Sequence, residues 1–261
     1  MSRGLAVVTG ASAGIGREFC EQLAERGYDL LVVARDAERL AALKQDLEGR
    51  RGVGVELFRA DLSEESEMVR LAERLGAGEA PALLVNNAGF GTRGTLLELA
   101  PDRQAAMVRL HALAPMHLTM AVLPGMVRRG AGAVVNVSSV AGFIYSAGNA
   151  NYCATKAYLN TFTECMAAEL RGTGVQAQAL CPGFTHTEFH QRMRVSTGGL
   201  PAVAWMSARS VVRASLESLD RRGPVVCVPG LGYKLLVRLI RLTPRPVLGW
   251  VTALRRARYV T

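Results

Sequence analysis

The feature that most constrains this chain is a set of short, unbroken apolar runs that alternate with stretches of helical periodicity. The clearest are Leu5–Thr9, Leu30–Ala34 and Leu83–Val85, and Val53–Phe58, Ala133–Val137 and Val175–Leu180, interrupted by Glu56, Asn136, Gln176 and Gln178, read as further strands. A strand with one wet face alternates apolar and polar residues, whereas an unbroken run is apolar on both faces. Such strands, separated by helices, predict a parallel sheet covered on both sides, the doubly wound, Rossmann-like α/β arrangement. Helical patterning follows the first run to about Gly27 and fills about Asp36–Glu48, Asp102–Arg129 and Tyr152–Arg171. Ligands of such sheets sit at the carboxyl ends of the strands, so the residues that end each run are the first to inspect.

The 261 residues carry 49% hydrophobic and 20% charged side chains, which supports a sizeable core and argues against disorder. No linker or internal repeat divides the chain, and one domain is expected. Cys20, Cys153, Cys165, Cys181 and Cys227 form no C-x-x-C pair. Free thiols in a reducing cytoplasm are expected rather than a disulfide scaffold or zinc ribbon. The first apolar run begins at Leu5, so no secretory leader is expected, and no uninterrupted apolar run reaches the ~18 residues of a spanning helix. The net charge of +9 is local. Residues 221–261 hold nine basic residues and no acidic one, which leaves 22 of each sign in residues 1–220. A neutral body with a cationic end does not read as a nucleic-acid binder. Residues 1–230 are expected to form the catalytic domain and 231–261 a basic amphipathic extension.

After the first run comes Thr9-Gly10-Ala11-Ser12-Ala13-Gly14-Ile15-Gly16, leading into a helix. Gly10 suits a tight turn, Gly14 a close backbone approach to a pyrophosphate, and Gly16 close helix–strand packing. The helix N-terminus offers unpaired N–H groups to phosphate. The second run ends in Ala34-Arg35. An acidic residue there would bond the ribose hydroxyl of NAD, whereas Arg accepts the 2′-phosphate of NADP. Arg35 therefore points to NADP(H), with NAD(H) less favoured and a solvated surface charge as the other reading. Asp36 suits a helix cap. Asp61, after the third run, suits an adenine amino group or a turn.

Tyr152 and Lys156 are four apart on one helix face, and Ser139 ends the fifth run. A neighbouring ammonium and a cationic nicotinamide would lower the tyrosine pKa from about 10. Tyr152 would then exchange the proton of an alcohol, and Ser139 would hold the substrate oxygen. Thr9-Gly10-x-x-x-Gly14-Ile15-Gly16, Asn86-Asn87-Ala88-Gly89, Asn136-Val137-Ser138-Ser139, Tyr152-x-x-x-Lys156 and Pro182-Gly183-x-x-x-Thr187 occur in this order. Over about residues 4–189 the chain resembles the short-chain dehydrogenase/reductase family. That resemblance implies Tyr152 as acid/base and Lys156 on the nicotinamide ribose. It implies Ser139 as the catalytic serine, Asn87 along the adenine ribose, Ala88, Gly89, Pro182 and Gly183 as further cofactor-binding residues, and Thr187 on the carboxamide. It also implies a homo-oligomer through the two long helices.

The family pattern has an asparagine where His111 stands. Histidine can hold the same relay water through its two nitrogens, and its titration near neutrality would then shape the pH profile. A merely packed ring is the other reading. His186 and His190 share a spacing of four around Glu188. Without a clear third ligand they suit substrate contact or exposure better than a metal, and no metal is expected. By resemblance the pocket walls hold Phe143, Ile144 and Tyr145, then Phe184, Phe189, Met193, Trp205 and Met206. About half of these are equally readable as core. The expected function is NADP(H)-dependent hydride transfer to or from a lipophilic carbonyl or alcohol. An NAD enzyme of the same mechanism and a regulatory nucleotide-binding protein are the alternatives.

Lys234, Arg238, Arg241 and Arg245 fall on one helical stripe, with leucines over much of the remaining surface, until Pro244 and Pro246 stop the helix. Val247–Leu254 carries Trp250 and leads to Arg255, Arg256 and Arg258. Two expectations follow: peripheral association with an anionic membrane, or packing of the apolar face on the domain with the arginines solvated.

Overall fold

A computed structural model describes residues 3–92, 94–188, 204–244 and 246–247. Strands β1 (Leu5–Thr9), β2 (Asp29–Ala34), β3 (Val55–Arg59), β4 (Leu83–Asn86), β5 (Gly132–Val137), β6 (Val175–Leu180) and β9 (Val226–Cys227) form one sheet in the order β3-β2-β1-β4-β5-β6-β9. Every pair is parallel. The order reverses direction between β1 and β4, and the crevice above that switch point is where such sheets bind ligands.

Alternate residues of each strand enter two cores. Ala6, Val8, Leu30 and Val32 pack with Phe19 and Leu23 of α1 (Gly14–Glu25), Leu40 and Leu47 of α2 (Ala37–Arg51) and Val211. Val7, Leu31, Val33 and Leu84 pack on the other side with Leu71 of α3 (Glu65–Ala77), Leu118 and Met126. Burial on both faces is why these strands read as unbroken apolar runs.

Three elements differ from the sequence reading. Helix α3 was not expected. Its amphipathic face of Met68, Leu71 and Leu75 seals the second core. The long helix expected over Asp102–Arg129 is α4 (Pro101–Val108), a wide π-helical turn (Arg109–Leu113) and α5 (Ala114–Arg129). Pro115 has no N–H for the ordinary i→i−4 bond. Ala114 N–H instead donates five residues back to the Arg109 carbonyl. Over Pro101–Arg129 one window is long and apolar enough to cross a membrane by composition. Its apolar side chains Met107, Leu118, Val122 and Met126 are buried in the fold.

The third difference lies at the C-terminal side. Strands β7 (Thr185–His186) and β8 (Met206–Ser207) pair in a separate two-stranded sheet. Helices α6 (Ala150–Glu169), α7 (Ala208–Asp220) and α8 (Leu231–Leu242) complete the fold. Helix α8 ends at Leu242 with Thr243 as its cap, just before Pro244, as expected.

Candidate active site

The glycine loop is built as the sequence predicts, with altered assignments. Gly10 and Gly14 adopt φ of 67° and 56°, the left-handed region that favours glycine. A Cβ on Gly10 would lie 2.8 Å from Asn87 Nδ2, and one on Gly16 would overlap the Gly10 carbonyl. A Cβ on Gly14 would stand 3.2 Å from Thr187, which brings that threonine over the loop. Ser12 and Ile15 are half-buried in the same turn. Helix α1 begins with no side-chain cap and no acidic residue in its first turn, so its positive end stays available for phosphate. The residues present fit a dinucleotide.

Thr9 ties this loop to the Asn-Asn-Ala-Gly turn. Its hydroxyl accepts from the N–H groups of Asn87 (2.9 Å) and Ala88 (3.0 Å), while Asn87 Nδ2 donates to the Thr9 carbonyl at 2.9 Å. Below the turn, Asn86 Nδ2 donates to Asn136 Oδ1 (2.8 Å) and Asn136 Nδ2 to Thr163 Oγ1 (2.9 Å). This buried polar chain pins β4, β5 and α6 to each other.

Arg35 and Asp61 form a pair that the sequence left separate, 3.2 Å apart, with the arginine side chain 66% exposed. Asp61 Oδ1 also accepts from the Ser63 N–H (3.0 Å) and hydroxyl (2.6 Å), so it fills the turn role. Burial pushes its pKa up, but the Ser63 bonds and Arg35 outweigh that and hold it below the usual carboxylate range. Asp36 caps α2 through the Arg39 N–H at 3.0 Å. Arg39 was not anticipated. Its guanidinium pairs with Glu188 at 2.9 Å and joins α2 to the segment after β7.

Ser139, Tyr152 and Lys156 converge at the carboxyl end of β5. Ser139 leaves the strand and caps a short 3₁₀ turn through the Ala141 N–H at 3.1 Å. Tyr152 lies in the first turn of α6 and hydrogen-bonds the Ser139 side chain. Lys156 Nζ donates to the Val137 carbonyl at 2.8 Å and stands 5.8 Å from the Tyr152 ring. Burial moves both groups against expectation. It pushes the Tyr152 phenol up to about 12, because the opposing Ser139 bond is weaker, and drives the Lys156 ammonium down to about 8. Lys156 alone therefore does not make a tyrosinate here. Burial favours the protonated phenol.

His111 sits inside the π turn, 1% exposed. Its Nε2 accepts from the Phe90 N–H at 3.1 Å, so the ring proton lies on Nδ1, which donates to Thr155 Oγ1 at 3.1 Å. Both nitrogens have protein partners. Burial, reinforced by the Lys156 charge, pushes the pKa well below 6.5. The expected water-holding, titrating relay histidine is thus a neutral ring packed edge-on to Tyr152 at 5.9 Å. A Cβ on Gly89 would fall 2.8 Å from its Nε2, so the glycine of the turn makes room for it.

Among the expected wall residues, Phe184 packs on Trp205 (5.5 Å between ring centroids), and Trp205 stacks on His186 at 4.7 Å. Ile144 and Tyr145 remain partly open. Phe143 and Met206 instead serve the cores. Gly183, read as a cofactor residue, seats the Tyr233 ring, which a Cβ there would overlap. Pro182 accepts from the Val140 N–H at 3.1 Å. Phe189, His190 and Met193 lie outside the described residues. Among the described residues no His, Cys, Asp and Glu cluster suits a metal.

Comparison with known proteins agrees with this geometry. A sequence model of the short chain dehydrogenase family matches residues 4–197. An uncharacterized oxidoreductase of Myxococcus xanthus (strain DK1622) is 34% identical over 264 residues, 99% of each chain. A short-chain dehydrogenase from Sphingobium yanoikuyae in complex with NADPH superposes with a TM-score of 0.82 at 36% identity, over 87% of this chain and 88% of that one. The bulky-bulky ketone specific alcohol dehydrogenase from Comamonas testosteroni gives 0.80 at 30% identity, over 94% and 96%. Matches of this extent, with the motif residues gathered at the carboxyl ends of the strands, place the chain in the short-chain dehydrogenase/reductase family, whose members are nicotinamide-dependent oxidoreductases.

Proposed function

We propose that this protein is an NADP(H)-dependent carbonyl reductase or alcohol dehydrogenase acting on lipophilic ketones, aldehydes or secondary alcohols. The observation that carries the reading is the Ser139–Tyr152 hydrogen bond with Lys156 one turn along α6. In reduction, the Ser139 hydroxyl orients the carbonyl oxygen and the Tyr152 phenol gives it a proton. Lys156 supplies positive charge that stabilises the tyrosinate left behind. A bound nicotinamide supplies the hydride. In oxidation Tyr152 takes the alcohol proton.

Arg35 supports the preference for NADP(H). Its pair with Asp61 is exposed, and such pairs are worth about 0–1 kcal/mol. A hydrogen bond to a charged phosphate contributes about 1.5–3 kcal/mol. The guanidinium therefore gains by leaving Asp61 for a 2′-phosphate. The aromatic stack of Phe184, Trp205 and His186, together with the partly open Ile144 and Tyr145, supports an apolar substrate. The test is a panel of aldehydes, ketones and quinones with NADPH or NADH, followed at the nicotinamide absorbance. Turnover of bulky apolar ketones with NADPH is expected. Turnover with neither cofactor would favour a regulatory nucleotide-binding role.

A further inference from the structure

Helix α8 is amphipathic in a way the fold does not use up. Its inner side is firmly attached. Val237 is 4% exposed in a small core with Ala179, Cys181 and Val228. The Tyr233 hydroxyl donates to the Ala204 carbonyl at 2.7 Å and accepts from the Phe184 N–H at 3.1 Å. Arg241 pairs with Glu164 of α6 at 3.1 Å and lies over the Phe143 ring at 5.0 Å. These contacts fix the rotation of the helix, and with it the face that points outward.

That outward face is leucine. Leu231, Leu235, Leu239 and Leu242 are 83%, 59%, 54% and 81% exposed, and Leu236 is 45% exposed. At about 100° per residue the first four fall within roughly 80° of one another. Lys234 and Arg238 border the same sector and are exposed. Neither makes an ion pair among the described residues. Arg241, expected on the same stripe, is instead spent on Glu164. The leucines, expected to pack if the stripe were solvated, are the part left open.

Two physical facts narrow the occupant. An open row of leucines on the surface of the chain calls for an apolar partner. The charge carried by the helix and its flanking segment is of one sign, because residues 221–261 contain no Asp or Glu. A second copy of this face would bring Lys234 and Arg238 against like charges. An anionic lipid surface offers both an acyl layer for the leucines and negative headgroups for the cations. We infer that the outward face of α8 docks this protein on anionic membrane, with Leu231, Leu235, Leu239 and Leu242 in the acyl boundary and Lys234 and Arg238 at the headgroups.

The placement has a functional edge, which rests on the lipophilic-substrate reading. Through Tyr233 and Arg241 the docked helix holds Phe184 and Phe143, the segments that follow the catalytic strands. A membrane under α8 would lie beside the substrate side of the site.

The test is co-sedimentation of the full chain with vesicles of equal parts neutral and anionic phospholipid, against neutral vesicles. Wild-type protein is expected to pellet with the anionic vesicles and to be released as salt rises. K234Q/R238Q is expected to bind about thirtyfold more weakly, from the loss of two headgroup-facing cations. L235E/L239E is expected to stay in the supernatant while turning over a water-soluble ketone at the wild-type rate, which shows that it is folded. Wild-type protein left in the supernatant, or equal pelleting of L235E/L239E, overturns the inference. So does a wild-type oligomer, indifferent to vesicles, that L235E/L239E dissociates. Loss of ketone turnover in the wild-type protein would count against the enzymatic reading and leave the vesicle result standing.

Discussion

His111 Nδ1 and the Thr155 hydroxyl lie 3.1 Å apart, and the same hydroxyl donates to the Tyr152 carbonyl at 3.0 Å. The first turn of the catalytic helix is thereby fastened to the π turn, and through His111 Nε2 to the loop that follows the cofactor turn. His111 positions Tyr152 without touching the reacting atoms.

That role sets a pH dependence of stability. The folded pKa of His111 lies well below its unfolded value near 6.5. Above pH 6.5 both states are neutral and nothing is lost. As pH falls below 6.5 the unfolded chain takes up the proton first, so stability declines by about 1.4 kcal/mol per pH unit until the folded ring also titrates. Denaturant melts at a series of pH values should show this slope in wild type and lose it in H111N. The pH–rate profile of H111N should match wild type between pH 6 and 8, whereas H111L, which orphans the Phe90 amide and Thr155, should lose about 1–3 kcal/mol of stability.

Tyr152→Phe should abolish turnover while NADPH affinity stays within a few-fold, as measured by fluorescence titration. Most of the candidate cofactor residues lie away from the phenol, so a large loss of affinity would show that the phenol holds more than the proton.

Lys156 should mark the alkaline limb of reduction. Its ammonium is charged below about pH 8 and neutral above, while Tyr152 keeps its proton to about 12. The rate should therefore fall as pH rises through about 8 in stopped-flow assays at saturating NADPH. A rate that stays flat to pH 10 would show that Lys156 keeps its charge.

NADPH should bind at least about tenfold more tightly than NADH, in keeping with one charge-assisted bond, and Arg35→Ala should narrow that gap. Calorimetric titration of both cofactors checks it; equal affinities in the wild-type protein would remove Arg35 from the assignment.

Much of this was legible in the sequence because parallel strands buried on both faces are written as continuous apolar runs, and the glycine, Asn-Asn-Ala-Gly and Tyr-x-x-x-Lys motifs are local. Strand β9 was not, since two residues, Val226 and Cys227, carry no periodicity. The Arg35–Asp61 pair spans 26 residues and the Tyr233–Phe184 bond 49, and such contacts exist only once the chain is folded. Nor did sequence indicate how burial would shift Tyr152 and Lys156, because motif spacing says nothing of desolvation. The π turn left one signal, Pro115 four residues after His111, which an accounting of backbone donors would have caught.

The Asn86–Asn136–Thr163 chain has a consequence for the height of the catalytic tyrosine. Thr163 stands eleven residues along α6 from Tyr152, about 16 Å at 1.5 Å per residue. The hydrogen bond between β5 and α6 is thus the zero mark of a ruler whose far end carries the phenol. One residue inserted between them would turn that end by about 100° and aim the hydroxyl away from Ser139, with every atom of the motif still present. In this protein the reach of the Tyr152 phenol is gauged from the middle of a helix, far from the hydroxyl itself.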